Sequence, residues 1–391
     1  MMNLPFCLTI CGSNIMTEFN IDVSEAQDIV NKLSSICRLK SDGVDGLVMV
    51  DVAGEVTFSV NNTTTGLIIT SFTSKIKSTG RFVCKLDMFK SYILKFSSLV
   101  DGVGTEFFNF IVDDSVLFIK TKTTFKHTKP SYRKLRVSLL HNDTYPNIKK
   151  NTNTSVILNS SILKSGLMNV IDCVNYKELR PSLRGPSIRI DKDCVVFAAT
   201  NGVKLAESIF NIETSSIKPT SFILRYDISK ALVSLLDYNK QVFIGFEGNN
   251  IFLLCEGIYV IGSVITKDGF PDYKSVLNSF SNEIILDRQM LIDNITNTLG
   301  TLDDDDNSRL NITLTGNHII FTSDRIDISQ ELDFEVDHIS VDINGKFVYE
   351  LISKFKSDTI IFSYKDDKSP LVFKSGDDSN YIVLLTNLRK R

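Results

Sequence analysis

Val23-Ser24-Glu25-Ala26-Gln27-Asp28-Ile29-Val30-Asn31-Lys32-Leu33-Ser34-Ser35-Ile36-Cys37 spaces Ala26, Ile29, Val30, Leu33, Ile36 and Cys37 along one face. That is the period of an amphipathic helix laid on a core. Ser24, three residues before Gln27, offers a capping box. The pattern recurs. Similar stretches begin near Lys85, Asn159, Arg225, Leu286 and Asn344, so that successive starts lie 62, 74, 66, 61 and 58 residues apart. Near-constant spacing of this kind marks one structural unit used repeatedly. Six helix-plus-hairpin units pair into three domains of similar build.

Strand-like runs separate the helices. After the first come Gly46 to Asp51, Glu55 to Asn61 and Gly66 to Ile76; after the second come Glu106 to Val112, Ser115 to Lys122 and Lys134 to Leu140. Leu310, Ile312 and Leu314 alternate with polar residues, as a half-buried strand requires. Short turns join the runs, which favours antiparallel pairing over crossovers. The expected class is α+β, each domain being two helices on one side of hairpin sheets. Asn142 to Thr154, rich in Asn and Thr with one Pro, reads as a linker. The expected division is residues 1–15 as an N-terminal extension or over-long start, then domains at 16–150, 151–280 and 281–391, with Met16 opening the first strand.

Composition narrows the function. A chain of 391 residues exceeds the size of a single core. Its net charge of −3 argues against a basic nucleic-acid coat and leaves room for local segregation of charge. Seven scattered cysteines (Cys7, Cys11, Cys37, Cys84, Cys173, Cys194, Cys255) form no CxxC pair, so neither a disulfide framework nor a zinc site is indicated, and a reducing, cytoplasmic setting fits. No stretch reaches transmembrane length, and no membrane association is expected. Asp303 to Asp306 form a carboxylate run on a loop, where like charges repel without partners elsewhere. Gly102-Val103-Gly104 lacks a third glycine and a following helix, and no GxxxxGK[ST] occurs. His127, His141, His318 and His338 show no HExxH spacing. No cofactor and no catalytic residue is expected.

Charge on the helices leans the other way. Lys32, Arg38, Lys85, Lys90, Lys95, Lys164, Arg225, Lys230, Arg288, Lys346, Lys354 and Lys356 make twelve cations against nine carboxylates in the six stretches, on a chain that is acidic overall. A solvated helix face would look the same. The six-fold layout is what favours a functional surface.

Two stretches carry a resemblance. Ala198-Ala199-Thr200-Asn201-Gly202-Val203-Lys204-Leu205-Ala206 and Lys267-Asp268-Gly269-Phe270-Pro271-Asp272-Tyr273 resemble the Thr-Asp-Gly-His-Arg-Leu and Gly-Arg-Phe-Pro-Asp-Tyr stretches of the bacterial DNA polymerase III beta subunit, the DNA sliding clamp. Tyr145-Pro146-Asn147-Ile148 is similar to the same motif closing the first domain, and Asn380-Tyr381-Ile382-Val383-Leu384-Leu385 to the clamp's terminal strand. The resemblance runs from Met16 to the C-terminus. Val203-Lys204 stands where the family has His-Arg, and the tail departs from Met-Pro-Met-Arg-Leu, ending in Arg389, Lys390 and Arg391. An Asn-, Ile- and Lys-leaning composition without Trp suggests an AT-rich genome, hence a divergent clamp of phage or plasmid source.

The resemblance implies a non-catalytic processivity factor of the bacterial or phage-infected cytoplasm. Two chains would form a head-to-tail homodimeric ring of six domains around double-stranded DNA, contacted at its phosphates so that the ring slides. Paired sheet edges would close the ring, around Leu135 and Val137 on one side and Leu299 and Leu302 on the other. Lys40, Lys177 and Arg180, just past helix ends, would join the twelve helix cations on DNA. DNA polymerase, a clamp-loader ATPase and other partners carrying clamp-motif peptides would dock in an apolar cleft carried over onto Leu183, Thr200, Gly202, Val203, Lys204, Leu205, Pro271, Ser275, Val276, Leu384, Leu385 and Leu388. Peptide preference should differ from a bacterial clamp's, because Val203 and Ser275 replace His and Arg. Two other readings remain open: a monomeric clamp-fold decoy for polymerase peptides, and a metal-dependent nuclease using Asp303 to Asp306 with His318.

Overall fold

Twenty-six phenylalanines and no tryptophan supply much of the apolar volume with which this chain fills its interior. The structure, a computed structural model, describes residues 16–37, 46–62, 64–98, 100, 102–141, 145, 148, 150–151, 153–212, 219–266, 269–277, 280–300, 308–377 and 380–388. The expected extension at 1–15 and the run Asp303 to Asp306 lie outside them. Helices α1 (Val23–Cys37), α2 (Leu86–Ile93), α3 (Ser160–Val170), α4 (Tyr226–Leu235), α6 (Arg288–Leu299) and α7 (Gly345–Ile352) fall at the expected intervals, joined by a single turn, α5 (Lys274–Leu277). Three begin on a side-chain cap, Asn159, Asp287 and Asn344 each accepting from a first-turn N–H. The chain divides into two compact units, 1–154 with 241–262 and 155–240 with 263–391.

The first unit holds two antiparallel sheets. One runs in the order Lys75–Ser78, Thr17–Asp22, Gly104–Asp113, Val116–Thr124, Ser131–Ser138. The other runs Gln241–Glu247, Asn250–Cys255, Ile258–Ile265, Thr65–Ser71, Val56–Asn61, Leu47–Val52, Gly80–Lys85. Helices α1 and α2 pack on each other and on these sheets. Phe19 stacks on Phe110 at 4.8 Å between centroids, Phe110 on Phe89 of α2 at 5.5 Å, and Phe89 meets Phe58 at 6.0 Å. All four rings are buried, and each contributes about 1.5–3 kcal/mol by leaving water.

Local chemistry sets the ends of elements. Because α1 follows directly on Thr17–Asp22, Ser24 lies inside the helix rather than capping it, and Gln27 donates to the carbonyls of Ile93 and Phe96 past the end of α2. Glu25 accepts from the Ser71 and Thr73 hydroxyls and from the N–H groups of Phe72 and Thr73. That clasp breaks the expected run Gly66 to Ile76 into two strands. Two described residues of the expected linker are docked. Tyr145 is buried against Met49 and Val83, and Ile148 packs on the Ile68, Phe252 and Tyr259 cluster.

The second unit is built on an eight-stranded antiparallel array, Asn282–Asp287, Thr359–Tyr364, Leu371–Ser375, Tyr381–Leu385, Lys204–Asn211, Cys194–Thr200, Ser187–Ile190, Thr220–Leu224. Helices pair α3 with α4 and α6 with α7. Gly166 of α3 sits where a Cβ would lie 2.3 Å from the Phe197 ring, so the missing side chain allows the helix to approach the strand. A separate hairpin joins Arg309–Thr322 to Asp327–Asn344. Leu310, Ile312 and Leu314 are buried along it, as their alternation requires. Its outer half is irregular: Gly316 pairs Val336 and His318 pairs Glu331, which bulges 332–335 from the ladder.

Candidate functional site

The resemblance-bearing stretch Thr200 to Leu205 is a strand, a tight turn and the start of a second strand. Gly202 adopts φ +87°, a left-handed conformation that glycine reaches without a Cβ clash. Asn201 Oδ1 accepts from Val203 N–H (3.0 Å) and Lys204 N–H (2.9 Å), while Thr200 Oγ1 accepts from Gly202 N–H and donates to the Lys204 carbonyl. The turn is therefore fixed by its own side chains. Beside it lies the C-terminal strand, with Leu205 opposite Leu384 and Lys204 opposite Leu385. Thr386 N–H to the Val203 carbonyl (2.9 Å) carries the pairing past the strand end, and Leu388 N–H donates to the Asp342 carbonyl.

Strand alternation splits the expected cleft residues between two faces. On one face Leu205 and Leu384 join Leu277 and Val372 in a buried cluster, edged by half-buried Tyr273, Phe280 and Ile382. On the other, Lys204 is buried, its Nζ 3.2 Å from Glu350 and 4.0 Å from the Phe347 ring centre. Lys204 is thus a strut to α7 and does not line the apolar face, and Leu385, 1% exposed, shares its side. Leu183 is also core, at 2% exposure on a single helical turn. Thr200 is consumed in the turn. Gly202, Pro271 and Ser275 are exposed, and Val203 and Val276 stand 40% exposed beside the cluster's strand and turn; Leu388 is half-buried.

Sequence reasoning missed what seats α5. Glu207, 0% exposed, lies two residues from Leu205 and so on the same face of its strand. Its carboxylate holds Lys274 Nζ at 2.6 Å and accepts from the Tyr273 hydroxyl. Burial pushes the Tyr273 phenol well up, and its bond to Glu207 adds to that. This clasp fixes the turn that brings Leu277, rather than Val276, onto the cluster. The available signal was a lone acid between Ala206 and Ser208 in a strand with Tyr-Lys in the neighbouring motif.

The expected DNA-contacting cations divide by partner. Arg38 and Lys40 lie outside the described residues. Lys32 pairs with Asp28 at 2.7 Å. Lys164 donates to the Leu236 carbonyl, and Lys354 is held by Asp172 and by the Met168 and Asn169 carbonyls. Lys85, Lys95, Lys177, Arg180, Lys230, Lys346 and Lys356 are exposed, whereas Lys90, Arg225 and Arg288 are intermediate. Among the expected dimer contacts, Leu135 is half-buried on Ser131–Ser138, the outermost strand of its sheet, while Val137 is 3% exposed and belongs to its own core. Leu299 packs at Gly345, and Leu302 lies outside the described residues. The edge strand carries Arg133, Lys134 and Arg136 beside Lys120 and Lys122. The bulged half of the second unit's hairpin carries Glu331, Asp333, Glu335 and Asp337, all exposed.

No helix among the described residues is long and apolar enough to cross a membrane. No protein-family model and no curated protein matches the sequence. Solved structures do match. The DNA polymerase III beta subunit of Thermotoga maritima aligns over 96% of this chain and 100% of its own, with a TM-score of 0.80 at 17% identity. The DNA polymerase sliding clamp of Bacillus subtilis aligns over 97% and 100%, TM-score 0.81, 14% identity. A sliding clamp of Pseudomonas aeruginosa bound to griselimycin aligns over 96% and 100%, TM-score 0.80, 13% identity. With its helix pairs, antiparallel sheets and full-length alignment, the chain has the sliding-clamp fold of the bacterial DNA polymerase III beta subunits.

Proposed function

We propose that the chain is a DNA sliding clamp: a homodimeric ring of three domains per chain, divided at 16–150, 151–280 and 281–391, that tethers a replicative polymerase to duplex DNA. The observation that carries this is the alignment of the chain with whole beta subunits, end to end. Exposed cations on and beside the helices suit a loose hold on phosphates, which a sliding protein needs in place of base contacts. The chain's own part in the reaction is topological and non-catalytic, and loading would fall to a separate ATPase.

Partners would dock beside the Leu205, Leu277, Val372 and Leu384 cluster, with Val203 and Val276 as apolar rim. An exposed apolar rim beside a fixed turn and a strand end suits a short peptide with Leu or Phe anchors. That the Pseudomonas aeruginosa clamp binds griselimycin supports a ligand site on this fold.

A monomeric binding module is the second reading, favoured by one feature: Val137, expected at the dimer contact, is spent in its own core. Negative-stain electron microscopy of the purified protein, paired with primer extension on singly primed circular DNA, decides between them. Closed rings and longer products per binding event are expected. Crescents or monomers at micromolar concentration, with no gain in product length, would overturn the clamp and leave the module.

A further inference from the structure

Val203 and Val276, each 40% exposed, form the apolar rim beside the Leu205 cluster, and they are held in different ways. Val203 sits in a turn closed by Asn201, and its carbonyl accepts from Thr386 N–H at 2.9 Å. Val276 belongs to α5, which is four residues long, far short of the length at which a helix holds itself in water. Its position has to be set from outside the turn. The path of bonds that sets it is short. Val276 and Leu277 N–H both donate to the Tyr273 carbonyl at 3.2 Å. At the other end of the same residue the Tyr273 hydroxyl donates to Glu207, and Lys274 Nζ lies 2.6 Å from that carboxylate. Phe270 meets the Tyr273 ring edge-on, with centroids 5.9 Å apart. One tyrosine, bonded at both ends, thus joins the strand to the rim.

The residue type at 207 is informative. Its cross-strand partners are Ala198 and Ile382, and Leu205 and Ile209 share its face along the strand. An apolar side chain there would simply join the cluster. A carboxylate must instead be stripped of water and given partners, and both partners come from the two residues that lead into the rim. A buried pair of this kind adds little stability over packed apolar groups, yet it selects one arrangement, because any other leaves a charge unpaired. Here the arrangement selected is the seat of α5. A rim set in advance spares an incoming peptide the cost of ordering it.

We infer that Glu207 is a positioning residue for peptide docking: through the Tyr273 hydroxyl and the Lys274 ammonium it presets the Val276 side of the rim. The inference rests on the peptide site of the clamp reading. Glu207, 0% exposed, acts through its two partners and not by touching the peptide.

The full chain is titrated with griselimycin and with a labelled peptide carrying Leu and Phe anchors. Glu207→Leu, Tyr273→Phe and Lys274→Met together remove the clasp without leaving a charge unpaired. This triple variant is expected to melt within about 3 °C of the wild type and to bind the probes about tenfold more weakly. Tyr273→Phe alone should lose part of the affinity, whereas Lys274→Arg, which keeps the pair, should retain it. The chain has no tryptophan, so Ser275→Trp sets a single indole on α5, and its anisotropy should fall when the three substitutions are added. Wild-type affinity in the triple variant, or unchanged anisotropy, would overturn the inference. So would affinity losses that only follow losses of melting temperature across the series. If the triple variant does not fold, Tyr273→Phe, which deletes a single oxygen, carries the same comparisons. Wild-type protein that binds neither probe would overturn the peptide site and with it this role for Glu207; wild-type binding that no variant weakens would overturn the role of Glu207 alone.

Discussion

Glu25 shows how one side chain decides where a strand stops. It reaches from the first turn of α1 to gather two hydroxyls and two backbone N–H groups at 71–73. Burial pushes its carboxyl up, but the Ser71 and Thr73 hydroxyls and the Phe72 and Thr73 amides together outweigh that and leave it below the ordinary glutamate value. A carboxyl depressed in the folded state stabilises above its unfolded pKa and loses that contribution as pH falls through the folded value. Glu25→Gln should therefore cost about 1–2 kcal/mol at pH 7, discounted for partial exposure. It should also flatten the dependence of stability on pH between about 5 and 3. Urea unfolding at both ends of that range measures it; identical slopes for wild type and variant would show that the clasp carries no charge-linked stability. The sequence contained these residues in plain view, but partners 46 to 48 positions away cannot be paired from spacing alone.

At the level of elements, helices were the most legible part, because their 3.6-residue stripes are long and Asn159 and Asn344 announce their caps. The apolar site was half legible. Its turn is local chemistry, Thr-Asn-Gly, and its partner strand is a plain apolar run, so both could be placed from sequence. Which side chains face the apolar cluster depends on alternation, and a motif carried over whole puts Lys204 and Leu205 together when a strand must part them. In α5, four residues are too few to show a period, so Leu277 was passed over for Val276. Adjacent positions should thus have separable effects. Val203→Asp, on the exposed rim, should weaken binding of a Leu- or Phe-bearing peptide about tenfold or more with melting temperature unchanged. Lys204→Met should lower stability by about 1–3 kcal/mol, since Glu350 and Phe347 lose a buried partner, and leave peptide affinity within about twofold. Calorimetric titration and thermal melts read the two axes; a Lys204→Met protein that binds peptide no better than Val203→Asp would place the lysine among the peptide contacts after all.

For the molecule as a whole, the proposed ring requires a contact between two copies. Val137 is buried in its own core and Leu299 lies against Gly345, so two of the apolar residues expected at the contact are already in use within one chain. Charge is left to contribute. The outermost strand Ser131–Ser138 offers Arg133, Lys134 and Arg136 with Lys120 and Lys122 on its neighbour, and the bulged hairpin offers Glu331, Asp333, Glu335 and Asp337. In the proposed ring a head-to-tail pair would set one copy's basic edge against the other's acidic hairpin, and like-with-like docking would be penalised by the same charges. Much of such an attraction lies at exposed groups, so it falls as the screening length contracts from about 10 Å at 0.1 M salt to about 3 Å at 1 M. The dimer dissociation constant should rise about tenfold or more over that range. Arg133→Glu with Arg136→Glu should give monomers at concentrations where the wild type dimerises. Mixing that variant with one carrying Glu331→Lys and Glu335→Lys should restore closed dimers, because one contact is then reversed in sign and the other is as in the wild type. Sedimentation velocity across a salt series measures all three outcomes. A dissociation constant indifferent to salt, or full dimerisation by the double-reversal variant, would mean that apolar surface elsewhere closes the contact and that these two charged edges are bystanders.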